Sequence, residues 1–199
     1  MSIPKDLVLE GDRVRLEPVT AAHIPDLMQR CNDHALWAFT YAPTPFENDA
    51  DAAEWLREAT ETSGALTFAI VDRASGATIG STRYHSIDET NRKLEIGWTF
   101  LEAAAWRTGI NHECKLLLMR YAFEEWNAVR VQFKANATNL RSRAALEGIG
   151  AVCEGTHRNF RIKPDGERNG VTFFSVIDTE WPAVRAGLQR SPNRNPISV

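Results

Sequence analysis

Polar and apolar positions change period several times along the chain. Val14 and Leu16 alternate with Arg13, Arg15 and Glu17, which predicts a strand after the Gly11-Asp12 turn, and His23 to Asn32 then has the spacing of a short helix. Residues Asp33 to Asn48 carry Trp37, Phe39, Tyr41, Pro43, Pro45 and Phe46, too aromatic for a solvated loop and too broken by proline for a helix. Asp49 to Thr62 predicts an amphipathic helix with Trp55 and Leu56 inward, and Leu66 to Val71 and Ala77 to Tyr84 predict strands around the turn Asp72 to Gly76. In the next strand Leu94, Ile96, Trp98 and Phe100 are expected on one face and Glu95, Gly97 and Thr99 on the other. Ile110, Cys114, Leu117, Leu118, Tyr121 and Ala122 recur at helical spacing and predict a long helix to about Trp126, followed by a strand through Val129, Val131 and Phe133. Thr138 to Gly148 predicts a helix closed by glycine. Ala151 to Lys163 and Gly170 to Ile177 flank Pro164-Asp165-Gly166 as a terminal hairpin, and a disordered tail is expected after Gln189.

This order defines a mixed α/β (α+β) plan without internal repeats. At 199 residues and 43% hydrophobic content the chain supports one well-buried core, so a single domain over 1–190 is expected, with 191–199 as the tail. A net charge of -3 argues against a broad electrostatic footprint for nucleic acid. Cys31, Cys114 and Cys153 are odd in number and in no metal-ligand spacing, which predicts reduced thiols and no metal. The start has no basic segment leading into an apolar stretch, and no run approaches the roughly 18 apolar residues of a membrane span. A soluble, cytoplasmic protein is expected.

The turn Trp106-Arg107-Thr108-Gly109-Ile110-Asn111, between a strand and a long helix, has the makings of an anion site. Glycine brings backbone close to a ligand, and the helix start directs free N-H groups and the positive end of its dipole into the turn. An ordinary turn glycine is the competing reading of Gly109. Together with Leu9 to Pro18, Leu94 to Trp98, Asn139 to Ala144 and Gly150 to Gly155, this segment resembles the GNAT superfamily of acetyl-CoA-dependent N-acetyltransferases, in particular the branch related to ribosomal-protein N-terminal acetyltransferases. The family's phosphate loop begins with Gln or Arg and ends with Gly or Ala. Trp106 and Asn111 stand at those ends here, so Gly109 matches strictly and Arg107 is the candidate source of charge.

The resemblance implies a GNAT fold: a mixed, mainly antiparallel central sheet flanked by helices, with central strands that splay so that the pantetheine arm lies between them like an added strand. It implies acetyl-CoA as cosubstrate, bound by Trp98, Thr99 and Phe100 on the splayed strand and by Trp106, Arg107, Thr108, Gly109, Ile110 and Asn111 in the loop. A backbone N-H near Trp98 would receive the thioester oxygen. Asn139 resembles the residue that holds the pantetheine arm, and Ser142 the one that hydrogen-bonds or protonates the leaving sulfur; a plain N-cap and a surface serine are the alternatives. An α-amine with a pKa of about 8 must lose a proton before attack, which makes Glu95 the candidate base, directly or through water, against a solvated carboxylate. His85 and His157 are weaker candidates for the same task. Trp37, Phe39, Tyr41 and Tyr84 either wall the acceptor pocket or form a satellite core, and Arg158 and Arg161 either orient an acidic acceptor or face solvent. The acceptor is an amine, of a small molecule or a protein N-terminus, and a homodimer is compatible with the resemblance. Two rival functions stay open: a non-catalytic CoA-binding module and a phosphoryl-transfer enzyme, although the latter lacks a Gly-Lys-Ser/Thr ending.

Overall fold

A computed structural model describes residues 2–38, 46–163 and 166–190. Eight strands form one sheet in the order β1-β2-β3-β4-β5-β6-β8-β7: β1 Leu9–Glu10, β2 Val14–Pro18, β3 Leu66–Asp72, β4 Thr78–Asp88, β5 Lys93–Leu101, β6 Arg130–Asn136, β7 Val152–Ile162 and β8 Arg168–Ile177. All neighbours are antiparallel except β5 and β6. The helices are α1 Ile24–Arg30, α2 His34–Trp37, α3 Asp49–Glu61, α4 Ile110–Arg120, α5 Leu140–Gly148 and α6 Trp181–Arg190.

Strict alternation decides what each sheet face meets. On β3, Phe68 and Ile70 enter the main core while Ala69 and Val71 enter a second cluster on the opposite face with Ala59 of α3. The main core is completed by Ile110, Cys114, Leu117 and Leu118 of α4 and by Trp181, Val184 and Leu188 of α6. A third cluster, also opposite the main core, joins Leu27, Cys31, Phe46 and Ala52 to Trp37, Trp55 and Phe100. Both faces are therefore covered, as a sheet with near-continuous apolar strands requires.

Several elements differ from the sequence expectation. The hairpin is not terminal, because α6 follows it and buries Trp181, Val184 and Leu188, spaced i, i+3, i+7. His34–Trp37 is a short helix despite its proline-rich context, started by Asp33, whose side chain accepts from the Ala35 N-H. The long helix after Gly109 is regular only to Arg120 and then runs as a π turn over Tyr121–Glu125. Residues 39–45, with Phe39 and Tyr41, the hairpin positions Pro164 and Asp165, and the tail 191–199 lie outside the described residues.

The most consequential difference is in β5. Ser81 faces Phe100 and Arg83 faces Gly97, so three steps on β5 oppose two on β4. This bulge puts Trp98 at φ 52, a left-handed conformation rare for a bulky side chain. Beyond it the alternation is inverted. Leu94, Ile96 and Leu101 stay in the main core, whereas Phe100 packs on the opposite face against Trp37, Phe46 and Trp55.

Candidate functional site

β5 and β6 pair over only three positions, Lys93 with Arg130, Leu94 with Val131 and Glu95 with Gln132. Each strand then continues, β5 held by β4 and β6 held by β8, so the two part while staying rigid. Beyond Glu95 and Gln132 their facing edges have no ladder partner among the described residues. Backbone donors and acceptors left along such a gap can take an extended ligand as they would another strand. Trp98, Thr99 and Phe100 lie on that edge, at the bulge.

The loop predicted to hold phosphate closes one end of the gap. Gly109, at φ 91, is the N-cap of α4, and Arg107 at φ 62 is also left-handed. The loop is pinned rather than slack: Trp106 Nε1 donates to Leu101 O at 2.9 Å, Thr108 Oγ1 to Ala105 O at 2.7 Å, and Arg13 Nη1 to Thr108 O at 2.5 Å. Ile110 turns into the main core, so only its backbone serves the loop, while Asn111 is half-buried. The Arg141 guanidinium lies 4.1 Å from the centre of the Trp106 ring, which joins the start of α5 to the loop. Trp106 thus holds the Arg141 cation at the first position of the loop. Sequence alone does not single out Arg141, because a contact between two separate helix starts has no local signature.

Asn139 caps α5 by accepting the Ser142 N-H at 3.0 Å. The capping role is therefore present, and Ser142 stands half-buried at the third helical position beside the gap. Glu95 is buried, 7% exposed, contrary to a solvated carboxylate. Its Oε2 accepts from Lys134 Nζ at 2.7 Å and Gln132 Nε2 at 3.2 Å, and a Cβ built on Gly97 would lie 3.4 Å from its Oε1. One carboxylate oxygen is thus anchored and the other lies beside the residue that precedes the bulge. On the opposite face Lys115 of α4 is buried and donates to Thr99 Oγ1 at 2.7 Å, which lies 2.8 Å from Thr82 Oγ1. Burial pushes the Lys115 ammonium down to about 8. Lys115 falls within an otherwise apolar helix stripe, a signal available in the sequence.

The acceptor candidates divide. Trp37 is half-buried in the aromatic cluster, its Nε1 donating to Cys31 O at 2.9 Å. Tyr84 does not line a pocket. It is fully buried in the main core, packs edge-on against Phe68 and donates to Leu118 O at 2.6 Å, so it offers an acceptor no surface. His85 faces Glu95 across the ladder, bonded at Nδ1 to Ser86 Oγ at 2.7 Å, and burial lowers its pKa. His157 packs against Phe173 on the outer hairpin, where Arg158 and Arg161 are exposed. The buried thiols of Cys31 and Cys114 are both pushed up to about 12 by desolvation, which makes them poor nucleophiles. Among the described residues no cluster of His, Cys, Asp and Glu could hold a metal, and no helix is long and apolar enough to cross a membrane.

A mixed sheet that opens between its two parallel strands, with a bulge on one lip and a pinned helix start at the end, is the architecture of solved acetyltransferases that this chain matches, which makes it an acyl-CoA-dependent transferase. The chain belongs to the GNAT family: the acetyltransferase (GNAT) domain matches residues 13–152. It is an acetyl-CoA-dependent acetyltransferase. YdaF of Bacillus subtilis (strain 168), named provisionally as a ribosomal N-acetyltransferase, is 29% identical over 171 residues, covering 83% of this chain and 90% of YdaF. A crystal structure from T. thermophilus, described provisionally as an acetyltransferase, superposes with a TM-score of 0.85 at 36% identity, covering 96% of this chain and 98% of the other. A GCN5-related N-acetyltransferase from Brucella melitensis superposes with a TM-score of 0.89 at 29% identity, covering 95% and 86%.

Proposed function

We propose that the protein transfers the acetyl group of acetyl-CoA directly to a primary amine, with the thioester at the Trp98 bulge and the diphosphate at the start of α4. The observation that carries this is the opening of β5 from β6 after three paired residues, which leaves strand edges for the pantetheine amides. The left-handed Trp98 interrupts the regular β4-β5 ladder, and a backbone N-H at this bulge receives the thioester oxygen as negative charge develops there. Glu95 Oε1 takes the proton of the incoming amine, and Lys134 and Gln132 hold the carboxylate in place through Oε2. The amine nitrogen bonds to the thioester carbon and the carbon-sulfur bond breaks; Ser142 gives its hydroxyl proton to the departing sulfur and takes up the second proton from the acylated nitrogen, so that it ends neutral, while Glu95 releases the first proton to solvent. Buried Cys31 and Cys114 support transfer without an acetyl-enzyme.

Thiol release from acetyl-CoA across a panel of amines and peptides tests this. Wild type releases thiol with at least one amine, Glu95→Gln lowers turnover by about 10²–10⁴-fold, and Ser142→Ala lowers turnover more than it lowers acetyl-CoA affinity. Acetyl-CoA binding without thiol release across the panel would instead make the chain a CoA-binding module. The name of YdaF makes ribosomal-protein N-termini the first peptides to include.

A further inference from the structure

Arg83 lies on β4 directly opposite Gly97, on the same sheet face as Glu95 and beside the Trp98 bulge. It is 5% exposed, yet among the described residues its side chain has neither a hydrogen bond nor an ion pair, and its Nε is buried without a partner. Its side chain meets the Trp98 ring, whose centre lies 5.3 Å from the guanidinium carbon. Trp98 is 56% exposed, so the buried guanidinium lies against a ring that borders solvent. Other arginines with an unsatisfied Nε each have a partner elsewhere: Arg15 has Glu17, Arg30 has Glu102, and Arg143 donates to Ala137 O.

A guanidinium keeps its charge in a protein even where, as here, burial lowers its pKa. Left bare, it loses hydration and gains nothing. Glu58 of α3 acts on it only through its field, outside ion-pair distance. Glu95, the carboxylate on the same face, is taken up by Lys134 and Gln132. Around neighbouring His85 the negative field of Glu95 is opposed by those of Arg83, Lys134 and Arg161. The acceptor side of the bulge therefore holds, in Arg83, a cation with an empty fork of donors, on the sheet face where the amine is to be deprotonated.

We propose that Arg83 binds an anionic group of the acceptor, and that the preferred acceptor is a primary amine carrying a carboxylate a few bonds from its nitrogen. This rests on the proposed transfer to an amine at the Trp98 bulge. The fork matches a carboxylate with two parallel N-H donors, which fixes orientation as well as adding attraction. Such a carboxylate belongs either to a free amino acid or to the first acidic side chain of a peptide.

The experiment compares matched pairs in thiol release: free amino acids against their amides, and amidated peptides with Asp or Glu near the N-terminus against the same peptides with Asn or Gln. In wild type the carboxylate member of one pair type has a kcat/KM at least tenfold higher, and the responding pair type identifies the source. In Arg83→Met that ratio falls to about one, mainly through KM, and Arg83→Lys restores part of it. Binding provides a second readout: the preferred carboxylate amine raises the melting temperature of wild type but not of Arg83→Met. Equal kcat/KM within every pair in active wild type, or a ratio unchanged in Arg83→Met, overturns the proposal for Arg83. Absence of thiol release with every amine overturns the proposed transfer itself.

Discussion

Lys115 illustrates how a single buried charge shapes this protein. An amine whose pKa falls on folding, here from 10.5 to about 8, binds fewer protons in the native state than in the unfolded chain. Stability from this group therefore rises with pH between about 8 and 10.5, and at neutral pH the full cost of the buried charge is present. Lys115→Met keeps the stem and removes the charge. It should stabilise the protein at pH 7 by about 1–3 kcal/mol and flatten the pH dependence above pH 8, as chemical denaturation at several pH values would show. A loss of stability at pH 7 would mean that the bond to Thr99 outweighs desolvation. Residues of this kind differ in how far sequence exposes them. Glu95 is legible because period-two alternation places it away from Leu94 and Ile96. Arg83 is not, because it sits in the run Ser81-Thr82-Arg83-Tyr84, and which of those is covered depends on α3 and on the bulge in β5.

At the scale of elements, the helix start after the loop and the bulged strand do different work. Gly109 at φ 91 caps α4 in a conformation that a β-branched residue strongly resists. Gly109→Val should weaken acetyl-CoA binding by at least tenfold in calorimetric titration, with a smaller effect on turnover at saturation. An unchanged Kd would remove the phosphate role from the loop. The loop and the helix after it are readable from sequence, since glycine and helical spacing are local signals. The inversion at Phe100 is not, because nothing in Gly97-Trp98-Thr99-Phe100 distinguishes a bulged strand from a regular one, and pairing with β4 decides it. Short α2 escapes a sequence reading for a related reason: its proline-rich neighbours outweigh the Asp33 cap.

For the whole molecule, α6 is the element whose absence from the sequence-based plan matters most. Trp181 is buried, stacks on Phe123 with centroids 5.3 Å apart and donates to Glu124 Oε1 at 2.8 Å, so α6 ties the π turn after α4 to the main core on the same sheet face. Trp181→Ala should cost about 3–5 kcal/mol in denaturant unfolding, with little change in which amines are accepted. A cost below about 1 kcal/mol would show that α6 is an accessory rather than part of the core. The family resemblance makes the general architecture legible, but the closing helix lies beyond the motifs that carry it.

The short pairing of β5 with β6 has a further consequence. Five strands on one side and three on the other share a seam of three residue pairs, reinforced by helices behind it. A cosubstrate lying along the open part of that seam would serve as mortar between two slabs, so its binding energy would also be folding energy. The abundance of acetyl-CoA in the cell would then set how long each copy of the enzyme survives as well as how fast it works.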